Sequence, residues 1–267
     1  MITTRDWGSY VAIGDSFSEG MSDPDPARPG TYIGWADRLA GALAVDAAEH
    51  GREFSYANLA IRGRKLADIT DRQLPLALEL RPDLVSIVGG GNDILRPRAD
   101  IEALAARLEQ AVAAIRATGA DVLLATPTDP REAPLLKHIR GRNAIFTAHI
   151  WAIARRHRCG VVDLWGNDAL RDWRMWGPDR IHLSTAGHER VAASALAALG
   201  HGEPDGAWGV PMPGKPSPNR SEQRRSDREW ARAYLGPWVR RRLTGRSSGD
   251  GRDAKRPTLA PIGTLQP

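Results

Sequence analysis

Tyr10-Val-Ala-Ile-Gly-Asp-Ser-Phe-Ser-Glu-Gly20 is an apolar run that stops abruptly in a polar turn flanked by glycines. Residues 10–13 read as a buried strand. Four similar runs follow at 54–57, 84–88, 122–125 and 161–164, each bounded by Gly, Pro, Asp or Asn. Helix-length segments separate or follow them, at 33–48, 66–80, 101–118, 135–157 and 185–199. The clearest carries Ile101, Leu104, Leu108, Val112 and Ile115 on one face and stops at Gly119. Pro75 interrupts the second, and Ser184 or Thr185 is a natural N-cap for the last. Strand and helix alternating five times predict a five-stranded parallel sheet with helices on both faces, a doubly wound α/β layout. Sites in such sheets form just past the carboxyl ends of the strands.

The chain has 267 residues, 42% of them hydrophobic, enough for one large domain with an appendage. Its net charge of +5 is unevenly spread. Residues 1–200 hold 24 basic and 25 acidic side chains, whereas residues 201–267 hold 13 and 7. A nearly neutral body lacks the basic face that nucleic acid requires, so nucleic acid is not expected as a partner of residues 1–200. The single cysteine, Cys159, excludes an intrachain disulfide and a CxxC zinc or redox site. No N-terminal apolar leader and no long apolar run appear, so the expected compartment is the cytoplasm.

Composition divides the chain into a domain at 1–200 and a Pro/Arg-rich extension at 201–267. Within the extension, 201–222 contain five prolines and read as a linker. Residues 223–243 read as a short basic helix limited by Pro237, and 244–267 as disordered. Two readings of this tail stand side by side. One is a solvated extension, which is preferred. The other is a weak contact with anionic lipid or another acidic surface through Trp230, Trp238 and Arg240-Arg241-Arg242. Nothing in the sequence sets an oligomeric state.

Four segments at the strand ends carry chemistry. Gly14-Asp15-Ser16 puts a hydroxyl and a free backbone N–H at the first edge. Gly63, past the second strand, can offer its N–H without a side chain in the way. Gly89-Gly-Gly-Asn92-Asp93 brings an amide donor to the third edge and lacks the Lys of a phosphate-binding loop. Asp179 and His182, three residues apart in Asp-Arg-Ile-His, let a carboxylate reach an imidazole and fix its tautomer. The other histidines form no set of metal ligands in the sequence, and no metal is expected. Together these residues supply a nucleophile, oxyanion donors and an oriented base.

In order and spacing these blocks resemble the SGNH (GDSL-type) hydrolases over residues 8–199. Gly14-Asp15-Ser16 resembles the first block, Gly63 the second, Gly90-Gly91-Asn92-Asp93 the third and Asp179-Arg180-Ile181-His182 the last. The resemblance implies a flavodoxin-like three-layer α/β/α fold and a serine ester hydrolase acting on a small-molecule ester without cofactor or metal. Ser16 would be nucleophile, His182 general base and Asp179 its orienting group. Ser16 N–H, Gly63 and Asn92 would form the oxyanion hole. The same residues would also serve an acyltransferase or thioesterase, and a catalytically silent binding module is a third reading. Among the neighbouring residues, Asp15 and Asp93 read as holding turns, and Cys159 as core. His188 reads as exposed or helix-terminal, and Glu19 as pocket-lining or solvated. Trp165, Trp173 and Trp176 read either as walls of an acyl pocket or as packing under the loop.

Overall fold

The structure, a computed structural model, describes residues 6–133, 136–203, 206–214, 219–237 and 247–262. Six strands form one sheet: β1 (Ser9–Gly14), β2 (Ser55–Asn58), β3 (Leu84–Val88), β4 (Asp121–Ala125), β5 (Gly160–Val162) and β6 (Arg256–Pro261). Their spatial order is β5-β4-β3-β1-β2-β6. The first five are parallel, as expected, with Tyr10 aligned on Tyr56 on one side and on Leu84 on the other. The order reverses between β1 and β3, which opens a crevice at their carboxyl ends.

The helical elements are α1 (Ser16–Glu19), α2 (Gly34–Glu49), α3 (Leu66–Asp68), α4 (Leu74–Glu79), α5 (Gly91–Ile94), α6 (Ile101–Ala117), α7 (Arg140–His157), α8 (Thr185–Ala198) and α9 (Arg220–Trp230). Alternation along each strand sends successive side chains to opposite faces. Tyr10, Leu84, Leu123 and Val162 pack with Leu39 and Leu43 of α2 and with Val191 and Ala195 of α8. Val11, Ile13, Val85, Ile87 and Leu124 pack on the other side with Leu108 and Ile115 of α6 and with Phe146 and Ile150 of α7. This is the three-layer α/β/α sandwich. The segment at 66–80 is not one regular helix: residues Ile69–Gln73 form a wider turn just ahead of Pro75. Proline has no N–H to return to the preceding turn, so the hydrogen-bond ladder shifts there.

The sixth strand corrects the five-stranded expectation, and within the 244–267 expected to be disordered it gives residues 256–261 a regular place. β6 pairs antiparallel with β2, with Tyr56 aligned on Ala260, and covers an edge that would otherwise be bare. Its Pro257 and Pro261 suit an outermost strand, where half of the N–H groups have no sheet partner to lose. Just ahead of it, Lys255 Nζ lies 2.7 Å from Glu19 O, 2.9 Å from Tyr32 O, 2.7 Å from Ile33 O and 2.5 Å from Asp37 Oδ2. The helix expected at 223–243 begins earlier, as α9, and continues in wider turns to Leu235. Residues 238–243, including Trp238, Val239 and Arg240-Arg241-Arg242, lie outside the described residues. Among the described residues, no helix is long and apolar enough to cross a membrane.

The Lys255 contact yields a test. Burial pushes the Asp37 carboxyl up to about 6 even though the Lys255 ammonium pulls it down. A carboxyl raised on folding is penalised when ionised, so its contribution to stability falls as pH rises through this range. Lys255→Met removes the compensating charge from a largely buried carboxylate, a loss of about 3–5 kcal/mol. We expect the full loss at pH 8 and a smaller one at pH 5, where Asp37 carries a proton. Urea unfolding at both pH values checks this, and equal losses would contradict it.

Candidate active site

β1 ends where Gly14 is gripped by a side chain. Gln73 Oε1 accepts from Gly14 N at 2.8 Å, and Gln73 Nε2 donates to Gly14 O at 2.9 Å. A Cβ on Gly14 would sit 2.6 Å from Val88 O, so this close approach of β1 to β3 requires glycine. Asp15 then caps the four-residue helix α1, its Oδ1 accepting from Phe17 N at 3.0 Å. Ser16 opens that helix at the mouth of the β1–β3 crevice.

The loop after β5 returns to the same edge. It is closed as a hairpin by Gly177 N donating to His182 O at 2.7 Å and by a bridge between Trp176 and Leu183. At its tip Asp179 Oδ1 accepts from Ile181 N and His182 N, both at 2.9 Å, and Asp179 Oδ2 lies 2.6 Å from His182 Nδ1. The far ring nitrogen, Nε2, is 3.0 Å from Ser16 Oγ. A carboxylate only accepts, so Nδ1 carries the proton and Nε2 is free to take one from the serine. Burial pushes the Asp179 carboxyl up, but the imidazole and the two backbone N–H groups outweigh it and hold the carboxyl below the usual range.

The N–H groups of Ser16 and Gly63 have no hydrogen-bond partner among the described residues. Gly63 has a left-handed φ of 73°, as a residue without Cβ readily adopts. Asn92, in α5, is differently placed: its Nδ2 donates to Asp15 Oδ2 at 3.1 Å and to Arg64 O at 3.0 Å. It therefore ties together the first, second and third blocks, with both amide hydrogens directed at protein acceptors.

Asp93 Oδ2 accepts from Leu66 N at 2.9 Å, and so holds a turn, as Asp15 does. Burial pushes the Asp15 carboxyl up to about 6, against the pull of the Phe17 N–H. Glu19 is buried rather than solvated. It is buried against Arg62, accepting from the backbone N at 2.6 Å and from the guanidinium. Arg62 also lies over the Tyr32 ring. His188 is buried, not exposed: Trp35 N donates to its Nδ1 at 3.2 Å, its Nε2 donates to Met21 O, and burial pushes it down to about 4. Of the three tryptophans, Trp176 packs against the core and donates to Leu170 O, while Arg140 stacks over Trp165. Trp173 is half exposed beside α9. Gln73 and the Glu19–Arg62 pair carry no sequence motif, and their positions emerge only from the fold. Among the described residues, no three His, Cys, Asp or Glu side chains converge as metal ligands would.

Residues 12–190 match the GDSL-like Lipase/Acylhydrolase family. LAE5, an alpha/beta hydrolase enzyme from the metagenome of Lake Arreo, Spain, is 25% identical, with a TM-score of 0.59 over 73% of this chain and 95% of that one. TesA is likewise 25% identical, with a TM-score of 0.57 over 72% and 97% of the two chains. Axe2, an acetylxylan esterase from Geobacillus stearothermophilus, shares the fold at 22% identity, with a TM-score of 0.60 over 72% and 94%. No curated protein matches the chain. The family match takes in Ser16, Gly63, Asn92, Asp179 and His182 and ends before the extension begins; the chain belongs to the GDSL-like Lipase/Acylhydrolase family.

Proposed function

We propose that this protein is a serine hydrolase of carboxylic esters that works through an acyl-enzyme on Ser16. The observation that carries the reading is the unbroken relay of Asp179 Oδ2, His182 Nδ1, His182 Nε2 and Ser16 Oγ, with contacts of 2.6 and 3.0 Å. His182 takes the Ser16 proton as Oγ attacks the ester carbonyl. The carbonyl oxygen, now negative, is received by the unpaired N–H groups of Ser16 and Gly63. Asn92 joins them when one amide hydrogen leaves Asp15 or Arg64 O for the oxyanion. His182 then gives its proton to the departing alcohol, and water repeats the sequence on the acyl group. Asp179 stays ionised throughout and stabilises the imidazolium. A small acyl ester, such as an acetylated sugar, is the substrate class we would test first, prompted by the shared fold with an acetylxylan esterase.

A panel of nitrophenyl esters and acetylated sugars, assayed on wild type and Ser16→Ala, tests the reading. Ser16→Ala should lower kcat by about 10⁶-fold while leaving the thermal midpoint within a few degrees. Turnover unaffected by this change would rule the mechanism out. Asn92→Ala should cost about 2.7–4 kcal/mol in kcat with a smaller change in KM, because its bond to the substrate forms only with the oxyanion.

The acid side of the pH profile makes a separate prediction. His182 must be neutral, and Asp15, raised to about 6, must be ionised to accept from both Phe17 N and Asn92. Asp15 protonates as pH falls through about 6, so kcat/KM should fall more steeply there than in Asp15→Asn, which carries no such proton and should work at a lower plateau. Acid limbs of equal steepness in the two proteins would show that Asp15 ionisation has no part in the rate.

A further inference from the structure

We propose that the C-terminal extension is a working part of the active site, with Trp230 and Asp227 of α9 as positioning residues for the Asp179–His182 pair. This inference rests on the ester-hydrolase reading of that pair. It goes beyond it, because α9 lies outside the segment that matches the family.

Arg180 stands between the acid and the base with φ at 57°. A residue with a Cβ is strained in this left-handed conformation, and it persists only where its surroundings over-determine it. Here the surroundings are the loop's own hydrogen bonds, among them Arg180 N to Gly177 O at 2.9 Å, and α9. Arg180 Nη1 meets Asp227 Oδ1 at 2.6 Å, Nη2 donates to Ser226 Oγ at 3.0 Å, and the guanidinium lies 5.3 Å from the centre of the Trp230 ring. From the same helix, Trp230 Nε1 donates to Asp179 O at 2.8 Å. One helix therefore grips both sides of the Asp179–Arg180 peptide unit, the carbonyl on one and the side chain on the other. Loosening that grip lets Arg180 relax toward negative φ. That rotation swings the following residues, and with them the imidazole, away from Asp179 and Ser16.

Residues further along the extension contact the neighbouring loops of the body. Arg64, next to Gly63, donates to Gly249 O at 3.1 Å and lies 3.5 Å from Asp250. Ser247 Oγ rests against Gly63, and Gly249 packs so closely on Arg62 O that a Cβ would collide with it. Lys255 then bonds to Glu19 O, at the end of the helix that Ser16 opens. The extension thus touches the nucleophile's helix, the Gly63 loop and the acid–base loop in turn. Most of α9 is polar and exposed, and a helix polar nearly all round gains little from burial alone. Its contacts with Arg180 and with Asp179 O tie it to the loop.

The test uses full-length protein. Trp230→Phe keeps the ring and removes the N–H; Asp227→Ala removes the partner of Arg180, and Asp227→Glu restores it. Each is assayed for kcat and KM on the best ester of the panel, for the rate at which a fluorophosphonate labels Ser16, and for thermal unfolding. Trp230→Phe and Asp227→Ala should each lower kcat and the labelling rate by about tenfold to a hundredfold, the scale of a catalytic group displaced by an ångström, with KM within about twofold. Asp227→Glu should recover most of the loss. The double variant should lose less than the product of the two, since both act on one loop. A lower midpoint with kcat and labelling rate unchanged in the folded protein would mean that α9 only adds stability, and would overturn the proposal. Wild type that neither turns over esters nor labels at Ser16 would remove the underlying reading, and this inference with it. Active wild type with equally active variants would remove this inference alone.

Discussion

A buried strand that stops inside the molecule leaves peptide groups that must find partners, at a cost of about 1–3 kcal/mol for each one that does not. β1 faces this constraint at Gly14, and Gln73 answers it by bonding both the N–H and the C=O. Asp15 satisfies the donor at Phe17. With those groups committed, the Ser16 N–H is left over among the described residues, beside the crevice where the strand order reverses. The absence of a Cβ at Gly14 lets Val88 O approach, which brings the end of β3, and with it Asn92, across that crevice. The geometry of the site thus follows from satisfying the end of one strand.

The first five strands, the layers and the meeting of Asp179 with His182 were legible because each follows from local pattern. Apolar runs broken by Gly, Asp or Asn mark the strands, and Asp179 and His182 sit close enough in sequence for one tight loop to join them. What was not legible is what depends on partners distant in the chain. Gln73 lies 59 residues from Gly14, and Arg62 lies 43 from Glu19. A lone glutamine or glutamate has no pattern that announces such a partner. His188 read as exposed because a histidine near a helix start often is. Burying it neutral needs only two backbone partners, and Trp35 N and Met21 O provide them.

The extension misled for another reason. Composition estimates whether a segment can bury enough apolar surface to fold alone. Residues 247–262 have no need to fold alone, because they add an antiparallel strand to an edge that already exists. Such a strand needs few apolar side chains, because the sheet supplies its hydrogen-bond partners. The prolines that argue against a central strand are compatible with this position. The basic character that suggested a charged surface is partly spent inside the protein, with Lys255 on Asp37.

The carboxyls around Ser16 show why one of them suits the orienting role. Asp15, Asp93 and Asp179 are all substantially buried, and burial alone pushes each carboxyl up. Asp15 and Asp93 remain raised, because their hydrogen bonds and nearby charges do not make up for lost water. Asp179 goes the other way, because two backbone N–H groups and an imidazole converge on it. A carboxylate that keeps its charge inside a poorly hydrated loop stabilises an imidazolium as it forms, whereas one near its own protonation point would trade the proton away. Like burial with unlike hydrogen bonding is therefore enough to set Asp179 apart from Asp15 and Asp93, as the proposed mechanism requires. The division depends on a tight turn at Arg180, whose strained backbone α9 holds from outside the family's own segment.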